Sequence, residues 1–389
     1  MRIYLLFLEH KRTLLHHLNR RSQIATSLHK MATEAPLPIG AAYSGATQSD
    51  LDRAKAQAGE KYFPTVFNPA TVHKKGRAVV GKGRASLTKN GSKDGFELYY
   101  EVHGKGPIKV VFVMGLNNSC FGWLPQVEHL CKDERYSCLV YDNRGVSNSE
   151  TPAGWYKTSD MAEDAFDLLE SLGWIQPGKR SVHVAGVSMG GMIGLEMARQ
   201  RPEVITSLSL ISTAPGRRFR TPTYGLTSLI RVLGGRTLGF DSEQYRLNRL
   251  IATLFPKSWL AEKSPKDTSR GRTNQEVLYD MFKWRYAFTT RQPLLGAVSQ
   301  MKAALTHYIP DADLERINRS VAKICILTGD TDYLVDPRNS EYLSIKLTKA
   351  EYHKFENAGH ALGNQIADKV SEILEKVIAE GIAAVEKGV

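Results

Sequence analysis

The sequence predicts an α/β fold, a mostly parallel, doubly wound sheet interrupted by a helical insertion, and three observations carry that reading. Between residues 95 and 211, short β-branched or aromatic runs alternate with segments of helical period, the pattern of strand–helix–strand crossovers. The inner runs, such as Val110-Val111-Phe112-Val113, are apolar at every position, as strands covered on both faces must be. Residues 217–318 then read as helical, and a further buried strand, Ile324-Cys325-Ile326-Leu327, resumes the sheet. With 42% hydrophobic residues, the 389-residue chain has ample material for a large core.

The ends of the chain are read first. Residues 1–30 hold Arg2, Lys11, Arg12, Arg20, Arg21 and Lys30 against the single acid Glu9, with leucines near helical spacing. Such an acid-poor amphipathic stretch has the character of a mitochondrial presequence, and a start at Met31, leaving a cytoplasmic protein, is the alternative. Residues 31–94 are rich in Ala, Gly, Ser, Thr, Lys and Pro, and are expected to form a basic, largely irregular extension with a short helix at 50–59 and solvated charges. Residues 1–90 carry fifteen Lys or Arg against five Asp or Glu, so that +10 of the net +12 lies there. The nearly neutral remainder has no basic stripe interleaved with aromatics, which argues against nucleic acid as a partner. No run reaches the about 18 apolar residues of a membrane span, while peripheral membrane contact through the basic extension stays open. Cys120, Cys131, Cys138 and Cys325 show no paired spacing, so neither a disulfide framework nor a zinc site is expected.

The ordered part is expected to begin with an edge strand at 96–102, followed by strands at 109–114, 136–141, 181–187, 205–211, 324–327 and 352–355. Helices are expected at 157–172 and 190–199, with a closing helix at 366–385. The block 95–216 plus 319–389 is the core, and 217–318 is a cap over the carboxyl edge of the sheet, where open α/β folds bind ligands. Its aromatic residues Trp259, Tyr279, Phe282, Trp284 and Tyr286 read as core packing more readily than as a pocket lining.

One junction organises the rest. Gly186-Val187-Ser188-Met189-Gly190 lies where a buried strand turns abruptly into a helix, the pattern Gly-x-Ser-x-Gly of a nucleophile elbow. A serine hydroxyl needs a base to become nucleophilic, and a histidine can take and return the proton. His360, on the turn Asn357-Ala358-Gly359, is the candidate base, whereas His353 falls within a strand and reads as structural. The imidazole in turn needs a carboxylate, and Asp330, Asp332 and Asp336 all lie in the loop after the 324–327 strand.

Taken together with Met114-Gly115-Leu116, with Tyr141-Asp142-Asn143-Arg144-Gly145-Val146-Ser147-Asn148-Ser149 and with Gly329-Asp330-Thr331-Asp332, these motifs resemble the α/β-hydrolase superfamily over residues 96–385. The order Ser188, Asp332, His360 is its order of nucleophile, acid and base. The resemblance implies Asp332 as the acid, leaving Asp330 and Asp336 to turns or caps, and an oxyanion hole from the backbone N–H groups of Leu116 and Met189. It also implies a serine hydrolase of the capped esterase or thioesterase kind, acting on a small-molecule acyl substrate with no metal or organic cofactor. Acyltransferase, peptidase, C–C hydrolase and perhydrolase chemistry, or a non-catalytic binding role on the same fold, stay open. The family's usual His-Gly is Met114-Gly115 here, which touches the packing of the oxyanion loop; Asn117, Asn118 and Ser119 could line the site or face solvent. Asp142, Arg144 and Gly145 resemble a structural brace in which a buried Arg-Asp arrangement supports loops near the site. Substrate and oligomeric state are not legible.

Overall fold

Strands that are apolar at every position split their side chains between two cores, and the structure, a computed structural model, shows both. It describes residues 65–84, 94–216, 227, 242–267 and 270–388. Eight strands form one sheet: β1 (Val72–Val80), β2 (Phe96–His103), β3 (Ile108–Val113), β4 (Tyr136–Tyr141), β5 (Val182–Val187), β6 (Ile205–Ile211), β7 (Lys323–Gly329) and β8 (Glu351–Phe355). They lie in the order β1-β2-β4-β3-β5-β6-β7-β8, antiparallel at β1/β2 and β2/β4 and parallel elsewhere. Val111 and Val113 join Val184, Leu208 and Ile326 on one face, beneath helices α2 (Thr158–Ser171) and α3 (Met189–Gln200). Val110 and Phe112 join Cys138, Cys325 and Leu327 on the other, beneath α1 (Leu124–Leu130) and the C-terminal helix Ala367–Glu386. Each fully buried Leu, Ile, Val or Phe contributes about 1.5–3 kcal/mol, so these two layers hold the sheet together.

Two boundaries differ from the sequence reading. Within the stretch expected to be irregular, residues 72–80 form β1, so β2 is an inner strand and β1 is the edge. Its exposed His73 and Lys74 break the apolar alternation, as charged residues on edge strands do to discourage pairing with other chains. Arg84, from the cluster expected to be solvated, donates to Asp164 Oδ1 at 2.6 Å and also pairs with Asp167. The expected presequence at 1–30 and helix at 50–59 lie outside the described residues.

The cap likewise ends earlier than residue 318. Gly216 and Tyr308 form an antiparallel bridge, and Ile309 N–H donates to Pro215 O at 2.7 Å, so the insertion leaves and rejoins the core at adjacent points. Beyond them α8 (Asp311–Ser320) buries Leu314 and Ile317 in the core layer that also holds α3. The described cap comprises α4 (Glu243–Leu254), α5 (Lys257–Ala261), α6 (Asn274–Tyr286) and α7 (Leu294–Thr306). A small core of Leu247, Ile251, Phe255, Leu260, Leu278, Met281 and Phe282 joins the first three. Trp259 stacks on Phe255 and Trp284 packs edge-on to Phe288, while Phe282 and Tyr286 also line the cavity described below. No helix among the described residues is long and apolar enough to cross a membrane.

Candidate active site

The elbow is forced by sterics. Ser188 sits between β5 and α3 at φ 57°, ψ −124°, on the left-handed side that side chains rarely adopt. A Cβ on Gly186 would run into Gly190 O, and one on Gly190 into Val113 O, so only glycines let strand, turn and helix approach this closely. The strained residue is tied down at both ends: Ser188 N–H donates to Ile211 O at 2.8 Å, and Thr213 Oγ1 donates to Ser188 O at 2.7 Å.

β7 and β8, parallel neighbours at the sheet edge, deliver the other two candidates. Thr331 N–H donates to Ala358 O at 3.0 Å, which holds the two loops side by side. His360 Nδ1 lies 2.7 Å from Asp332 Oδ2, and both residues are buried. Asp332 Oδ1 accepts the N–H groups of Leu334 at 2.8 Å and Val335 at 2.9 Å, so the carboxylate is fixed by its own loop. With Asp332 as acceptor, the imidazole carries its proton on Nδ1 and leaves Nε2 as the basic nitrogen. Asp330 is exposed and accepts from Thr331 Oγ1, and Asp336 pairs with Arg338 at 2.6 Å, which holds its carboxyl below the usual range. His353 stays in β8, bonded to Glu351.

Ser188, His360, Leu116 and Met189 line one cavity of about 260 Å³, though no hydrogen bond joins Ser188 Oγ to His360. Its walls are mainly apolar, with Met192, Ile211, Leu254, Phe282 and Val335, and Gln126, Arg285 and Asn364 add polar groups. Neither the Leu116 N–H nor the Met189 N–H meets an acceptor among the described residues, so two amide donors remain available at the mouth of the elbow. Met114, in place of the family histidine, is buried; its backbone O accepts from Asn143 Nδ2 at 2.9 Å and its sulfur from Asn118 Nδ2 at 3.6 Å.

The loop polar residues divide. Asn118 lines the cavity, whereas Ser119 is buried and donates to Asp142 Oδ1 at 3.0 Å, away from solvent and site alike. Asp142 is thereby committed: it also accepts from Cys120 N–H at 2.7 Å and Asn148 N–H at 3.0 Å. Burial raises its carboxyl above the ordinary value, and these amides pull it back. Arg144 therefore finds a different partner from the neighbouring aspartate, binding Asp164 of α2 in a two-pronged pair at 2.6 and 2.5 Å. Sequence reasoning missed Asp164, which stands twenty residues downstream on a helix and reads there as an ordinary polar position. Gln292 and Gln300 of the cap, bonded to Asn117, were also missed.

A strand–serine–helix elbow, an aspartate-bound histidine and a capped apolar cavity at the carboxyl edge of a parallel sheet define a hydrolase of the α/β class. Residues 109–363 match the family model described as alpha/beta hydrolase fold, and the chain belongs to that family. It is 26% identical, over 73% of its length and 97% of the relative's, to a protein of Stutzerimonas stutzeri named carbamate hydrolase RutD. Among solved structures, a thermophilic esterase from Thermogutta terrifontis superposes with a TM-score of 0.59 at 19% identity, over 79% of this chain and 99% of that one. A meta-cleavage product hydrolase from Pseudomonas fluorescens IP01 does so with 0.59 at 16% identity, over 80% and 99%. At such identities the likeness to these structures is one of fold.

Proposed function

We propose that the protein is a serine hydrolase that cleaves an ester or thioester through an acyl-enzyme, with Ser188 as nucleophile, His360 as base and Asp332 as the acid that orients it. The observation that carries this reading is the 2.7 Å contact between His360 Nδ1 and Asp332 Oδ2 beside a cavity that also holds Ser188. In the acylation step Ser188 Oγ attacks the substrate carbonyl carbon as its proton passes to His360 Nε2, and Asp332 stabilises the resulting imidazolium. The carbonyl oxygen, now negative, is met by the N–H groups of Leu116 and Met189. Collapse of the tetrahedral intermediate expels the alcohol or thiol, which takes the proton from His360. A water activated by the same imidazole then hydrolyses the acyl-Ser188 ester and restores the serine.

The apolar walls and limited volume favour small to medium acyl groups, and the likeness to a protein named as a carbamate hydrolase brings carbamates into the same substrate class. The test is hydrolysis of p-nitrophenyl esters of increasing acyl length, and of a p-nitrophenyl carbamate, together with labelling by a fluorophosphonate. Ser188→Ala lowers turnover by about 10⁴- to 10⁶-fold and abolishes labelling while the fold survives. More than a tenth of wild-type activity in that variant sinks the assignment, and a steady rise of kcat/KM out to long-chain lipids sinks the closed pocket.

A further inference from the structure

In the loop that carries the Leu116 amide, the hydrogen bonds that hold the following residue come from the cap. Asn117 adopts φ 54°, a region asparagine tolerates better than most residues. Its N–H donates to Gln300 Oε1 at 2.8 Å, and Gln300 Nε2 donates onward to Arg144 O at 2.7 Å. Its side-chain Oδ1 accepts from Gln292 Nε2 at 2.9 Å, and the same nitrogen donates to Gly145 O at 2.9 Å. Both glutamines are buried, so neither can exchange these partners for water at no cost. The helix that carries Gln300 is seated directly on the 144–145 turn: a Cβ on Gly296 would collide with Gly145 O. Arg144 is locked in turn to Asp164. A chain of contacts thus runs from α2, through Arg144 and the two glutamines, to the peptide that follows Leu116.

We propose that Gln300 and Gln292 are positioning residues for the oxyanion loop, holding Asn117 so that the Leu116 N–H points at the developing oxyanion. The inference rests on the serine-hydrolase reading and adds to it a role for two cap residues that touch no reacting atom. Fixing the direction of the Asn117 N–H fixes the plane of the Leu116–Asn117 peptide, and with it the rotation about Leu116 that aims its own amide. Because Gln300 uses its Oε1 for the loop and its Nε2 for the 144–145 turn, while Gln292 reaches both with its Nε2 alone, the pair works as a spacer of set length. A group that acts in this way matters to the transition state more than to the bound substrate, whose neutral carbonyl asks less of the donors.

The test uses the full-length protein and p-nitrophenyl butyrate. Gln300→Met keeps the length and apolar bulk of the side chain and removes both of its hydrogen bonds. The expected result is a kcat lowered by about 10- to 100-fold, the scale of a misplaced catalytic group, with KM within about threefold of wild type. A trifluoromethyl ketone, whose tetrahedral adduct carries the oxyanion, should lose affinity in the same proportion as kcat. Asn117→Gly suits the positive φ, keeps the N–H for Gln300 and loses only the Gln292 bond, so it serves as the second variant should Gln300→Met not fold; its kcat should fall by about three- to tenfold at unchanged KM. A folded Gln300→Met or Asn117→Gly with kcat within twofold of wild type, or with a raised KM as its only change, overturns the positioning role and leaves the serine-hydrolase reading standing. A wild-type protein that neither hydrolyses any ester nor takes the fluorophosphonate label overturns both.

Discussion

The elbow and the loop 115–119, which we propose supplies one oxyanion donor, line one cavity, yet they are held in opposite ways. Five consecutive residues define the elbow: Ser188 is strained, Gly186 and Gly190 permit the strain, and the flanking strand and helix are buried next to it. In the loop 115–119, by contrast, the hydrogen bonds of Asn117, the residue that follows Leu116, lead to Gln292 and Gln300, more than 170 residues away. One half of the site is specified by local covalent geometry; the other is assembled only when the cap is in place. Local specification survives almost any remote change, whereas assembled geometry inherits every weakness of the parts that build it.

The largest effect is expected at the pair of Asp332 and His360, outside the reach of the two glutamines' hydrogen bonds. Asp332→Asn leaves the imidazole in the wrong tautomer and lowers kcat by about 10⁴-fold, the loss seen for the equivalent change in serine proteases. Asp330→Asn and Asp336→Asn should stay within a few-fold, since one carboxylate is exposed and the other is engaged by Arg338. Steady-state kinetics on the three variants decides the matter, and a crippled Asp330→Asn would reassign the acid. Next in size comes the support of the assembled side. Arg144→Met strips Asp164 of its two-pronged partner in a buried place, for a loss of about 3 kcal/mol in urea unfolding, tempered because Arg84 also reaches Asp164. Unfolding at wild-type urea concentrations would mean that the pair only decorates the turn.

The smallest effect sets the two regions side by side. His183 in β5 and His307 at the foot of the cap are both buried, and burial pushes their pKa values down to about 4 and about 3. Each is therefore held neutral in the folded protein, His183 against Ser207 Oγ at 2.8 Å and His307 against Thr158 Oγ1 at 2.8 Å. The unfolded chain takes up protons near pH 6.5 and the folded one does so only far below, so stability is complete above about pH 6.5 and declines as pH falls, by about 2 kcal/mol per histidine at pH 5. His307→Gln should flatten about half of that acid decline in thermal-melting experiments at pH 5 to 7. An unchanged slope would show that His307 takes up its proton without resistance.

What could be read from the sequence follows the same division. The strands of the parallel sheet, the elbow, His360 and the loop holding Asp332 are each marked by a local residue pattern, which states them directly even where their partners are distant in sequence. β1 was hidden because an edge strand is marked by the charges that protect it, here His73, Lys74, Lys75 and Arg77, which read as a solvated linker. The cap boundary was hidden because α8 has the same amphipathic pattern as a cap helix, and only its packing on α3 shows where it belongs. The Arg-Asp brace is present, but Arg144 makes it with Asp164, while Asp142, beside it in sequence, accepts three donors from its own surroundings. Gln292 and Gln300 carry no signal at all, since a glutamine, in the loop before α7 or on that helix, is written alike whether it faces water or a buried peptide.

The bridge between Gly216 and Tyr308 gives the insertion the form of a handle, its two ends meeting at one place on the body. An insertion so closed can be lengthened, shortened or exchanged at little cost to the sheet, because the chain's path through the core is the same with or without it. In such a lineage the pocket can be refashioned wholesale while Ser188 stays where it is. Any replacement that omits the two glutamines, however well it folds and however well it encloses a new substrate, would inherit the serine and forfeit the order of the loop opposite. Grafting a foreign cap onto this body is thus a transplant with two stitches that must be sewn, at the positions of residues 292 and 300.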